Sequence, residues 1–166
     1  MHNLKNVMKS LNEIAIRLAS NTELQKLLMV DSMKVEDSDF SPLTIQEMLK
    51  QHYICLTPQN ENAIVKSGRN TFLIITPQEI NLADKSTSVS GSIYIVTDLN
   101  HATVDNYEDR CWKIADLLLK TLDGLKLTAS ITLQLSYISR ITYTELLTGY
   151  SVSFSFTDQK TEGAEI

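Results

Sequence analysis

Asp98, His101 and Asp105 fall in one short stretch between an apolar strand and a helix, a place where loops often carry chemistry. An imidazole flanked by carboxylates can move a proton in a small hydrolase, one acid orienting the ring. The same three residues also read as a helix cap and a solvated loop, because an aspartate ahead of a helix accepts its free amides. His52 has no neighbouring carboxylate to orient it and reads as a wet or structural histidine. Glu36, Asp37 and Asp39 invite calcium, but a calcium loop needs a glycine-enabled turn and Asp31 to Phe40 contains no glycine. The 3 histidines and the 2 cysteines, Cys55 and Cys111, fit no zinc or redox spacing. The 5 glycines form no G-x-x-x-x-G-K phosphate loop, and the serines include no G-x-S-x-G elbow. The residues therefore indicate no catalytic site, cofactor or metal, and leave open only a site assembled by tertiary contacts.

The elements that would position such a site are better marked. Asp105 reads as the cap of a helix over Asn106–Leu122, with Glu108 completing a capping box and Asp109 suiting the positive end of the helix dipole. Gly124 provides the stop. Cys111, Ala115, Leu118, Leu119 and Leu122 recur at helical spacing, and Trp112, Ile114 and Leu117 widen the apolar face. A face that wide predicts burial against a sheet. Gly91–Thr97 precedes the helix as an apolar strand. After it, Lys126–Ser136 alternates, with Leu127, Ala129, Ile131, Leu133, Leu135 and then Tyr137 at the apolar positions, and Tyr150–Phe156 alternates in the same way. Strict alternation predicts antiparallel pairing with one packed face, so that helices cover one side only.

Upstream, Leu4–Ala19 carries an amphipathic helical stripe and Ser20-Asn21-Thr22 can cap a shorter helix over Glu23–Met29. Thr44-x-x-Glu47 is a capping box for a short helix ending at Lys50. His52–Thr57 reads as a short strand stopped by Pro58. Asn70–Thr76, with Phe72, Leu73, Ile74 and Ile75 in succession, reads as a strand covered on both faces. Gln78–Ser90 is polar and predicts a long loop, either mobile or used for contact, and Asp158–Ile166 predicts a frayed tail. The expectation is one α+β domain over residues 1–157, with a mixed or mainly antiparallel sheet, helices on one face, and the order α-α-(α)-β-β-β-α-β-β.

Composition sets limits. A chain of 166 residues, 43% hydrophobic and 21% charged, is long enough for a single core. A net charge of -5 argues against specific nucleic-acid binding by phosphate neutralisation. No apolar run approaches a membrane span and no signal peptide is apparent, so the expectation is a protein made in the cytoplasm, with no membrane partner and with buried free thiols.

The chain resembles the tail terminator, or tail-completion, proteins of tailed bacteriophages. The resemblance lies in "NTFLIIT" at Asn70–Thr76, "GSIYIVTD" at Gly91–Asp98, "NYEDRCWKIADLLLKTL" at Asn106–Leu122 and "GYSVSFSFTD" at Gly149–Asp158. The helical region through Lys50 is longer than that family needs. The resemblance implies a homo-oligomeric ring, typically a hexamer, that caps the tail tube, stops its growth and joins the head connector. Its partners would be the tail-tube protein and a head-completion or connector protein, with no catalysis or cofactor. Head-to-tail ring contacts require two different matching patches. One expected patch is the region around Arg140, Ile141, Tyr143 and Leu146, where apolar residues crowd a strand-pair tip; the Gln78–Ser90 loop, with Asp84 and Lys85 at its centre, is the expected contact to the tube or connector. The competing readings are another neck protein of the same particle, such as a head-completion or adaptor protein, a hydrolase through Asp98, His101 and Asp105, and a cytoplasmic binding protein with one partner.

Overall fold

The helical stripe at the start of the chain folds as predicted. In a computed structural model that describes residues 4–32, 34–56, 68–106, 108–127 and 131–159, α1 spans Leu4–Ala19 and buries Val7, Leu11, Ile14, Ala15 and Leu18. α2 spans Thr22–Met29 and is capped by Asn21, whose side chain accepts from the Leu24 N–H at 3.0 Å. α3 spans Ile45–Lys50 and has the expected Thr44/Glu47 capping box. Buried Gln25 ties this region together: its amide donates to the carbonyls of Ala19 and Leu43 and accepts from the Leu43 N–H. Its three short hydrogen bonds offset the cost of burying an amide.

The sheet is mixed and mainly antiparallel. β1 (Ile54–Cys55) lies parallel to β2 (Thr71–Leu82); β3 (Ser86–Asp98), β7 (Leu147–Gln159) and β6 (Gln134–Thr142) follow antiparallel, in the order β1-β2-β3-β7-β6. A short 3-10 turn, Leu99–His101, follows β3 and leads into a small hairpin of β4 (Thr103–Val104) and β5 (Glu108–Asp109). α4 spans Arg110–Leu122. Leu73, Ile75, Ile93, Ile95, Val152, Phe154 and Phe156 face the four helices in one core. On the reverse face, Cys55, Phe72, Ile74, Val96 and Leu147 form a smaller buried cluster near one end, with Tyr94 and Tyr143 packed against it. The apolar run at Phe72–Ile75 is thus buried on both faces, as its pattern predicts. Elsewhere on that reverse face the register aligns hydroxyls: Ser88 with Thr157, Ser90 with Ser155 and Ser92 with Ser153. Gly149 is where the backbones come closest, since a Cβ there would collide with the Ile95 carbonyl oxygen.

Five expectations about local structure are corrected. α4 begins at Arg110 rather than Asn106, because Asp109 is its cap, accepting from the Trp112 N–H at 3.0 Å, while Asp105 and Asn106 turn with φ of 28° and 27°. Trp112 (55% exposed) and Leu119 (37%) are not part of the buried face of α4. The stretch Gln78–Ser90 is not a long loop: β2 and β3 pair past a bulge at Pro77/Glu79 as far as Leu82 and Thr87, leaving only Ala83–Lys85 as a turn. Lys126–Ser136 is not one strand. Lys126 bridges to Thr132, with Leu127, Ile131 and Leu133 buried, and regular pairing starts at Gln134 and continues to Thr142. Asp158 is not in a tail, because β7 continues through it and its carboxylate accepts from the Asn6 amide at 3.2 Å. Ala129, residues 57 and 58 and residues 160–166 lie outside the described residues.

Candidate functional site

Arg110 opens α4 and is fully buried. Its guanidinium donates to four backbone carbonyls: His101 (2.7 Å), Leu27 (2.6 Å), Val30 (2.7 Å) and Ser32 (3.3 Å). Burial pulls its pKa below the ordinary arginine value, and the nearby acids Asp31 and Asp105 oppose that. The group joins the end of α2 and the chain beyond it to the turn before α4. Beside it, the Lys113 ammonium lies 2.6 Å from Glu108, 3.0 Å from Asp105 and 3.3 Å from Glu36. Desolvation alone would lower the Lys113 pKa, but the three carboxylates raise it. Asp105 also accepts from the Glu36 backbone N–H at 3.1 Å. Burial pushes its carboxyl up, and that hydrogen bond together with Lys113 outweighs it, holding the group below its ordinary value. Between α2 and α4, Lys113, Asp105 and Glu36 border an open groove of about 450 Å³ that Leu27, Val35 and Leu117 also line. Its charges answer one another: Lys26 donates to the Glu36 carbonyl, and Lys120 to Asp116.

The structure brings together two of the three residues of the hydrolytic reading. His101 Nδ1 is 3.4 Å from Asp98 Oδ1, and its Nε2 is 3.5 Å from the Asn70 amide. Asp98 also caps the 3-10 turn through the Asn100 N–H. Asp105 is engaged with Lys113 and Glu36 instead. His52 is exposed at a left-handed position with φ 61°. Among the described residues, no three His, Cys, Asp or Glu side chains could together hold a metal ion, and no helix is long and apolar enough to cross a membrane. Cys55 and Cys111 are free and buried, one in each apolar cluster, and burial pushes their thiols up to about 11 and about 12.

The expected interface residues occupy opposite ends of the sheet. Arg140 and Ile141 close β6, Tyr143 to Leu146 make the turn into β7, and this end adjoins Asp98. Leu146 (60% exposed) and Leu99 (52%) stand out together there, the Leu99 N–H donating to the Leu146 carbonyl at 3.0 Å. Tyr143 is half-buried against the reverse-face cluster, and burial raises its pKa. Asp84 and Lys85 sit in the exposed β2–β3 turn at the other end. The two ends are about 40 Å apart at ~3.4 Å per residue along β3. Two residues expected on packed faces are instead exposed. Among the described residues Tyr137, on β6, is the most exposed large apolar residue at 64%, and β6 is the outermost strand; the bulge at Leu135/Tyr137 puts Tyr137 on the face opposite Leu135. Trp112 stands edge-on to Tyr150 at 5.5 Å, over the strand next to β6. Alternation marks which residues point in and out, but not which strand ends at an edge.

No known protein family matches this chain, and neither does any curated protein.

Proposed function

We propose that this chain is a structural virion protein of a tailed bacteriophage. It forms a ring at the end of the tail tube, ends tube growth and joins the tail to the head connector, and it assembles in the host cytoplasm before taking its place in the neck of the particle. The observation that carries this reading is the placement of exposed groups at distant, unlike parts of one sheet: Tyr137 on the outer strand β6 and Leu146 with Leu99 at the β6–β7 turn, against Asp84 and Lys85 in the β2–β3 turn. A head-to-tail ring needs two such unlike patches on every subunit. The pattern resemblance to tail terminators adds the biological setting. Termination would be steric: the ring occupies the tube's end and presents a surface to which the next tube subunit does not add.

The test is the mass in solution by light scattering across a concentration series, with and without isolated tail tubes. A closed species near six copies, or capping of the tubes, is the expected result. Leu146→Asp, at an exposed position, should abolish assembly and leave the monomer folded; unchanged assembly would remove the β6–β7 end from the interface. Electron microscopy of particles lacking the protein separates the neighbouring roles. Overlong or uncapped tails fit termination, whereas full heads that leak fit a head-completion or adaptor protein.

A further inference from the structure

The proposed ring leaves open how one subunit holds the next, and the two edges of the sheet suggest how. β6 is outermost on one side, and its 9 residues contain no proline and one charge, Arg140. Natural edge strands are usually blunted by lysines, prolines or shortness. Here, among the described residues, β6 has a bulge at Leu135/Tyr137 and the single charge of Arg140, with no lysine or proline. On the other side, β1 pairs with β2 only at Leu73 and Ile74, so that among the described residues Gln78–Leu82 borders β3 alone and is exposed throughout. This segment also has one charge, Glu79, opposite in sign to Arg140.

We propose that β6 of one copy pairs antiparallel with Gln78–Leu82 of the next, joining the subunits' sheets into one continuous sheet around the ring. This rests on the ring reading above. Three observations carry it. Strand directions alternate from β2 to β6, so a head-to-tail neighbour brings β2 alongside β6 in the antiparallel sense. The faces also agree: aligning Ser139 with Asn81 sets Ile138 against Leu82 and Arg140 against Ile80, all on the helix-covered face. Ile80 and Leu82, exposed at 40% and 46%, would be covered there, beside the shelf of Trp112 and Tyr150. Finally, no like charges oppose each other. A two-fold pairing of β6 with itself about Ser139 would instead set two Arg140 side chains diagonally on one face, about 7–8 Å apart.

The chain carrying both Asn81→Cys and Ser139→Cys, oxidised alone and on isolated tail tubes, should give a covalent ladder of subunits up to a closed ring. The native Cys55 and Cys111 are buried and contribute no background. Ser139→Cys alone should give no dimer; a dimer from it would establish two-fold pairing and overturn the proposal. Rings or capped tubes without the 81–139 bond would overturn the edge pairing and leave the ring reading standing. Neither assembly nor bond, in solution or on tubes, would overturn both. As a non-covalent check, Ile80→Asp should raise the concentration needed for assembly on the order of tenfold or more, while Ile80→Val leaves it unchanged. Wild-type assembly by Ile80→Asp would overturn the pairing.

Discussion

At the junction of α2 with α4, the polar groups of Arg110, Lys113, Asp105 and Glu36 are matched within the chain, whereas the outer strand β6 and the β6–β7 turn expose Tyr137, Leu146 and the adjoining Leu99. The first region holds the fold together. The second contributes little to one subunit's own stability and much surface to a partner. Substitutions in the first should therefore change stability, and substitutions in the second should change assembly.

The largest effect expected is at Arg110. Arg110→Met keeps the volume and removes every donor, leaving buried carbonyls unpaired at roughly 1–3 kcal/mol each. Urea unfolding should show a loss of about 3–5 kcal/mol, and a loss under about 1 kcal/mol would mean that water replaces the guanidinium. A smaller effect belongs to Asp105. Its carboxyl is held below the ordinary value, so its contribution is present above about pH 4, where the unfolded group is ionised, and is lost as pH falls through the folded value. Asp105→Asn should cost about 1 kcal/mol at neutral pH and flatten the acid side of the stability profile; an unchanged profile would assign the acid sensitivity to other carboxylates. The smallest effect on stability is expected at Tyr137. Tyr137→Ser should stay within about 0.5 kcal/mol of wild type in the same titration while weakening assembly measured by light scattering. A large loss of stability there would erase the contrast between the two regions.

The sequence marks elements well where local chemistry decides them. The stripe of α1, the Asn21 cap of α2 and the Thr44/Glu47 box of α3 all depend on residues within a few positions of one another. It misleads where a tertiary partner competes. Asp105 and Glu108 have capping-box spacing, but both carboxylates go to Lys113 and the cap passes to Asp109. Gln78–Ser90 is polar because Gln78–Leu82 is exposed on both faces and β3 opposite it buries only Thr87 and Val89, a pattern that composition alone cannot tell from a loop. At the β6–β7 end the expected residues do gather at one tip. Their exposure differs, however, because Tyr143 packs against the reverse-face cluster while Leu146 stands out.

Arg110 engages the main chain of residues 27, 30 and 32, never their side chains. Leu27, Val30 and Ser32 can therefore change identity over evolutionary time while the carbonyls stay in place, and no compensating change at position 110 is called for. The contact that joins two distant parts of the chain leaves no paired signature in the letters of the sequence. Kinship between such folds is then carried by backbone shape after residue-by-residue likeness has faded.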